Sequence, residues 1–462
     1  MNITDKIKER QQNYKTSKLK KYNPDKNVYE ASIDRIKLIF DNFKYICVSF
    51  SGGKDSSVML NLAIDEARKR NRRIGVMIID IEANFTATVD FMKEIIEENK
   101  DVLDVYWFCL PMLTDNTSSH LETTWKFWDP NAKEYWVKPM PTEDYVINLD
   151  NYKERGFGFF YDGMTFEKFV ELFGEAFGRV EAKKAGVDLN KDEVAILVGI
   201  KTDESLNRFA AISNKGKDKF KGTIYSTRIN EYVFNFYPIY DWRVDDIFIY
   251  YAKTGKKYNQ IYDLMYRAGV SPWKMRIDEP FGNGCKAGIK MFKVLEPETW
   301  AKLCSRVMGA NMAALYQDSK IMKGKFDLPG NHTWKSFTKF LLKTLPKETA
   351  ENYMFKFKKF IRWWKEKGSG LTPETIKELE KTGEIIRTGE LSNRGNKDKE
   401  VVKFKSILDF HPLDKNQSIL TWRRMCMCIL RNDYICTRLD FSITNDLTAK
   451  QKEVVEKYKK VL

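Results

Sequence analysis

Short apolar runs mark out the first half of the chain, and stretches of helical spacing separate them. Tyr45–Phe50 (YICVSF) reads as a buried strand ended by the glycine-containing loop Ser51–Lys54. A helical pattern follows, with Val58, Leu62 and Ala63 on one side and charges at Arg68–Arg70. Ile74–Ile81 predicts a second strand, Thr86–Asn99 a second helix, and Val105–Leu110 a third strand. Val194–Ile200 and Tyr232–Tyr237 predict later strands, each leading into a helical stretch. Alternation of this kind predicts an α/β fold: a mostly parallel sheet flanked by helices.

Two regions break the alternation. Residues 112–186 form an aromatic-rich insertion whose Trp125, Trp128, Trp136, Phe157, Phe159 and Phe160 are expected to pack a subdomain. Beyond about residue 330 the pattern turns helical and basic. Tyr353–Lys367 (YMFKFKKFIRWWKEK) puts Phe357, Phe360, Ile361 and Trp364 at helical spacing, with lysines expected outward, and Gly383–Lys399 reads as a loop. The chain therefore divides into a basic arm (1–30), a core domain (31–290) and a helical basic C-terminal domain (291–462).

Charge sharpens that division. The net charge is +15 over 462 residues, yet residues 331–462 carry 28 Lys+Arg against 17 Asp+Glu and residues 1–30 carry 8 against 4, leaving the middle neutral. A neutral core with basic ends fits an enzyme with polyanion-binding flanks, so nucleic acid is an expected partner, beside a protein partner. A solvated basic surface explains the same charge. No apolar run is long enough to cross a membrane, and the polar N-terminus has no signal-peptide core, so the expected location is the cytoplasm. Seven cysteines at irregular spacing do not make a disulfide framework, and three histidines argue against a histidine-rich metal site.

The chemistry concentrates at Ser49-Phe-Ser-Gly-Gly-Lys-Asp-Ser-Ser57. Gly52 and Gly53 let backbone approach phosphate, and the amides of the turn and of the helix start face the anion. Ser51, Ser56 and Ser57 add hydroxyls, Lys54 a cation, and Asp55 a carboxylate to hold Mg²⁺ directly or through water. The Walker A pattern G-x-x-x-x-G-K-[ST] is absent.

S-G-G-K-D-S resembles the PP-loop of the ATP pyrophosphatase superfamily. Its continuation SGGKDSSVMLNLA resembles the branch of phosphoadenosine phosphosulfate (PAPS) reductases and the small ATP sulfurylase subunit. Ile78-Ile-Asp-Ile-Glu82 is similar to that branch's I-D-T-G strand end, with Glu82 in place of glycine. Gly199-Ile-Lys-Thr-Asp-Glu-Ser-Leu-Asn-Arg208 resembles its G-x-R-x-D-E-x-x-x-R segment with Lys201 for arginine, and Pro238-Ile-Tyr-Asp-Trp242 with Asp246-Ile247 resembles its P-x-x-D-W-x-x-x-D-I segment. The tail, with EPETWAKL and WRRMCMCILRND, is similar to a subgroup with a C-terminal domain of unknown function.

The resemblance implies an ATP-binding enzyme that releases pyrophosphate and adenylylates an acceptor, one that the basic flanks would link to nucleic acid. Ser51–Ser57 would hold the pyrophosphate, Lys54, Asp55, Lys201 and Arg208 would act in catalysis, and Asp80, Asp203 and Glu204 would contact Mg²⁺ or ribose. As carboxylates at a helix start, Asp203 and Glu204 are equally explained by the helix dipole. Two other functions compete. A thiol-dependent sulfonucleotide reductase needs a nucleophilic cysteine, but the family's E-C-G-x-H-like segment is missing and only Cys285 lies in a basic, glycine-rich context. A non-catalytic nucleotide sensor would keep the loop without turnover. Cys426, Cys428 and Cys436 are spaced as small apolar residues buried on a helix rather than as a metal site, for which Cys304 or His411 would have to supply a fourth ligand.

Overall fold

The computed structural model describes residues 26–441 except 120–121, 204–211, 213–217, 278, 283–288, 317–327, 331, 346, 393–398, 416 and 432. Helix α1 (Val28–Asn42) opens on a capping box in which Asn27 and Glu30 satisfy each other's amides. Strand β1 (Tyr45–Ser49) leads through the glycine loop into α2 (Lys54–Lys69). Then come β2 (Ile74–Ile79), α3 (Thr86–Glu98) and β3 (Leu103–Phe108), close to the expected bounds.

The insertion builds a small antiparallel pair, β4 (Leu113–Asp115) and β5 (Thr124–Lys126), and a short strand β6 (Val146–Ile147). It ends in α4 (Phe166–Lys184). Its aromatics pack as expected: Trp125, Trp128, Phe157 and Phe160 are buried, and Trp136 and Phe159 lie half-buried against the same core. Strand β7 (Val194–Val198) is followed by the edge hairpin β8 (Ser226–Arg228) and β9 (Val233–Phe236).

The main sheet has the order β6-β3-β2-β1-β7-β9-β8, parallel throughout except for β8. The chain moves outward from β1 to β3 and then returns to the other side of β1 with β7. The carboxyl ends of β1 and β7 therefore flank the topological switch point, where open sheets leave a crevice. Helix α4 lies tight on the sheet, because a Cβ at Gly178 would stand 2.5 Å from Val194 Cγ2 and one at Gly174 2.7 Å from Val233 Cγ1. Helices α5 (Val244–Thr254) and α6 (Ile261–Arg267) complete the core, α5 resting on α2.

The packing boundary differs from the one expected at 290. Helices α7 (Ile289–Leu295), α8 (Pro297–Arg306) and α9 (Ala310–Tyr316) belong to the first core, where Phe292 stacks on Phe85 at 4.0 Å between ring centroids. A separate core begins with α10 (Trp334–Thr344) and α11 (Lys347–Glu366). It is not wholly helical. Strands β10 (Ser369–Leu371), β11 (Ile385–Leu391) and β12 (Glu400–Phe404) pair in the order β10-β12-β11, so the expected loop at 383–399 is in part a strand. Helices α12 (Pro373–Glu380) and α13 (Trp422–Leu430) close this unit.

On α11, Phe357, Phe360 and Trp364 face inward as expected, and Lys358, Lys359 and Arg362 are exposed. Lys356 is not outward: it is buried, with Nζ donating to the carbonyls of Tyr434 and Ile435 at 3.1 and 3.2 Å. No described helix is long and apolar enough to cross a membrane.

Candidate functional site

The loop between β1 and α2 has a shape that only glycine permits. Gly52 adopts φ +69°, and a Cβ there would stand 2.8 Å from Thr88 Cγ2 and 2.9 Å from Met92 Cγ. The Asn259 amide donates to Gly52 O and to Thr88 Oγ1, both at 3.0 Å, and so fixes the turn. Gly53 then caps α2, its carbonyl accepting the hydroxyls of Ser56 (3.1 Å) and Ser57 (2.7 Å).

A cavity of about 140 Å³ opens above this turn, lined by Ser51, Gly53, Lys54, Asp55 and Ser56 from the loop and by Gly199 after β7. At Gly199 a Cβ would come within 2.9 Å of Ser56 Cα, so strand and helix meet backbone to backbone. Asp55 lies between two buried lysines, with Lys54 Nζ 3.2 Å from Oδ2 and Lys201 Nζ 2.9 Å from Oδ1. Asp203 lies 4.0 Å from Lys201. Burial, reinforced by the neighbouring charges of Lys201 and Arg276, lowers the Lys54 pKa from its usual range, against the pull of Asp55.

Three residues that the sequence did not single out complete the wall. Tyr262 accepts the Lys54 amide on its hydroxyl at 2.9 Å, while Arg276 and Ile277 line the opposite side. The Lys54 ammonium donates to Met275 O at 3.1 Å, which ties this segment to the loop. They sit more than 200 positions from the loop in a stretch without a motif, and only tertiary packing brings them in.

Two expected roles change. Ser57 does not line the cavity, since its hydroxyl is turned back onto Gly53 O. Asp80 does not line it either. Its Oδ1 accepts the Glu82 amide and Asn84 Nδ2, and its Oδ2 accepts Trp107 Nε1 and pairs with Lys138 at 3.0 Å. Three hydrogen-bond donors and the Lys138 ammonium fill that carboxylate, which braces the end of β2. Glu82 holds φ +62°, the conformation that the family's glycine supplies freely. Its buried carboxylate accepts the amides of Trp128 (2.6 Å) and Val137 (3.1 Å) and pairs with Arg306 at 3.1 Å.

Arg208, Glu204 and Cys285 lie outside the described residues. Of the other cysteines, Cys47, Cys109, Cys426 and Cys428 are buried and Cys304 is partly so; burial pushes all five thiols up, Cys426 to about 12. Among the described residues no three His, Cys, Asp or Glu side chains are grouped to hold a metal.

Residues 45–268 match the phosphoadenosine phosphosulfate reductase domain. Residues 269–450 match a domain of unknown function, DUF3440. The chain is also 34% identical over 424 residues to the uncharacterized protein YbdN of Escherichia coli (strain K12), covering 90% of this chain and 91% of that one. The chain belongs to the PAPS reductase family, with a DUF3440 domain at its C-terminal side. The PAPS reductase domain is a nucleotide-binding one.

Among solved structures, the chain is similar to the Candida auris PAPS reductase in its phosphate complex, at 14% identity and TM-score 0.26, covering 53% of this chain and 90% of that one. It is similar to Candida glabrata FMN adenylyltransferase with FMN and an ATP analogue at 14% identity and TM-score 0.27, covering 53% and 64%. It is similar to the Methanococcus maripaludis U34-tRNA thiolase NcsA at 11% identity and TM-score 0.25, covering 62% and 80%.

Proposed function

We propose that this PAPS reductase-family protein binds ATP with Mg²⁺ and cleaves it between the α and β phosphates, transferring the adenylyl group to an acceptor. The observation that carries this reading is the set of cations around one small cavity at the start of α2: Lys54 and Arg276 line it, and Lys201, buried behind it, pairs with the lining Asp55 at 2.9 Å. Among the described residues Lys54 and Lys201 flank Asp55, Arg276 acts on Lys54, and Asp203 lies 4.0 Å from Lys201; a polyphosphate would add the negative charge that balances these cations. Gly53 lines the cavity, and a Cβ there would stand 3.2 Å from Ser51 Oγ and 3.5 Å from the Tyr262 hydroxyl, so a bulky or charged side chain would crowd both.

The Ser51 and Ser56 hydroxyls, 3.1 Å apart, and the amides at the start of α2 would hold the leaving pyrophosphate. Lys201 replaces an arginine fork with a point charge, which neutralises phosphate without fixing it bidentately. Asp55 is the lining carboxylate that would hold Mg²⁺, through water or by releasing Lys54 or Lys201, which pair with its two oxygens at 3.2 and 2.9 Å, and the ion would supply charge neutralisation to the phosphates. Positioning and charge neutralisation suffice for such a displacement, and no strong base is required.

Thin-layer separation of the products of α-labelled ATP tests the proposal: AMP or an adenylylated acceptor is expected. ADP or unchanged ATP would overturn it, unchanged ATP with intact binding pointing to a sensor. The reductase alternative has no support from Cys47, Cys109, Cys304, Cys426 or Cys428, whose burial disfavours the thiolate, and it rests on Cys285. Thiol-dependent sulfite release from PAPS, lost in Cys285→Ser, would establish it.

A further inference from the structure

A second, larger cavity opens at the same end of the sheet and takes no part in the phosphate site. Its volume is about 560 Å³, within the range of roughly 300–1,000 Å³ usual for small-molecule sites. Cys109, just past β3, and Asn148, just past β6, lie in its wall, so it stands over the carboxyl ends of those strands. Strand β3 is two strands from β1, which at the usual strand spacing is about 10 Å. The two cavities are therefore neighbours along one edge of the sheet.

Chemistry separates them. The phosphate cavity is small and polar, whereas the larger one is apolar with cations set into it. Trp128 and Trp136 form its back as a T-shaped pair, 5.1 Å between centroids at 85°, and Met140 and Leu149 add apolar surface. Three lysines, Lys133, Lys138 and Lys302, and one acid, Asp150, are among its lining residues. Lys133 and Lys302 are exposed at the rim.

Lys138 is the informative one. Its Nζ is buried and, apart from the ion pair with Asp80, makes no hydrogen bond among the described residues. Asp80 is already filled by three other donors, so the ammonium retains donor capacity that burial makes costly to leave unused. A flat apolar body against Trp136 with an anionic end on Lys138 would satisfy both features.

We infer that this cavity is the acceptor site, and that the acceptor is a small planar organic carboxylate. The inference rests on the adenylyl-transfer reading above. An ionised carboxylate also needs no general base, and neither cavity has a histidine among the described residues. In the step, a carboxylate oxygen forms a bond to the α phosphorus, the bond from that phosphorus to the bridging oxygen breaks, and pyrophosphate departs with the electron pair. No proton is transferred.

The test is calorimetric titration of the full chain with 2-naphthoate and with uncharged 2-naphthamide, in the absence of nucleotide. Naphthoate is expected to bind saturably and at least tenfold more tightly than the amide. Lys138→Gln should weaken naphthoate at least tenfold, and Leu149→Trp, a larger side chain at an exposed lining position, should abolish binding. Gly53→Asp, which blocks the phosphate cavity, should leave naphthoate affinity unchanged. Equal affinity for acid and amide, wild-type affinity in Leu149→Trp, or no saturable binding at millimolar naphthoate would overturn the site. Naphthoate binding as expected with no pyrophosphate release from ATP would overturn the acceptor role and the adenylyl-transfer reading while leaving an anion site.

Discussion

Gly53 sets the floor of the phosphate cavity, and its side chain, a single hydrogen, is what leaves room for a ligand. Gly53→Asp places a carboxylate beside Ser51 Oγ and the Tyr262 hydroxyl, in the space a phosphate would occupy. ATP binding measured by calorimetry should be lost while the circular dichroism spectrum is kept; retained affinity in the folded variant would remove ATP from the proposal. A second residue-scale expectation concerns Asp115 on β4. Burial, with Glu167 and Asp433 nearby, pushes its carboxyl up to about 7. Between about pH 4 and that value the folded chain keeps a proton that the unfolded chain has released, so stability falls as pH rises through this window. Asp115→Asn should match the wild type in urea midpoint at about pH 4 and exceed it at about pH 8. No gain in the variant over the wild type at the higher pH would refute the assignment.

Among elements, the end of β2 is the place where separate parts of the chain are joined. Glu82 stands at that end, holds the insertion through the Trp128 and Val137 amides, and holds α8 through Arg306. Burial raises the Glu82 pKa, against the opposing pull of Arg306 and the two amides. Arg306→Met removes the buried partner and leaves the carboxylate uncompensated, a loss on the order of 3–5 kcal/mol. Chemical denaturation at neutral pH should show it, and Glu82→Gln in the same background should restore part of it; an unchanged midpoint in the single variant would disprove the clamp. The strand–helix alternation around this point was legible because each buried strand is a contiguous apolar run. The pairing of β6 with β3 was not, since two residues carry no periodicity. Strand β11 was missed for a related reason: its glycine and mostly exposed side chains give the composition of a loop, and its pairing with β12 alone makes it a strand.

At the scale of the whole molecule, the C-terminal unit has its own core and carries the excess of positive charge. On α11, Lys358, Lys359, Arg362 and Lys365 are exposed beside exposed Phe355 and Trp363, and we propose this face as the place to test for nucleic-acid binding. Changing those four cations to glutamine should weaken binding of single-stranded RNA or DNA and flatten its salt dependence, by about one unit of slope for each true contact. ATP binding should not change. Absence of any nucleic-acid binding by the wild type at low salt would refute a polyanion surface here. Lys356 is left out of that set because the carbonyls of Tyr434 and Ile435 hold it inside. Helical periodicity assigned it an angle on α11, but which angles are covered depends on a segment almost eighty residues later. The same division runs through the phosphate site. Sequence alone determined the turn from β1 into α2, because its glycines, hydroxyls and charges are consecutive and act through local backbone geometry. Only the tertiary structure decided that Tyr262 and Arg276 would close over that turn, that Lys201 would pair with Asp55, and that Asp80 would be spent on Trp107 and Lys138. Those are meetings of side chains far apart in sequence, and packing of the sheet against its helices is what fixes them.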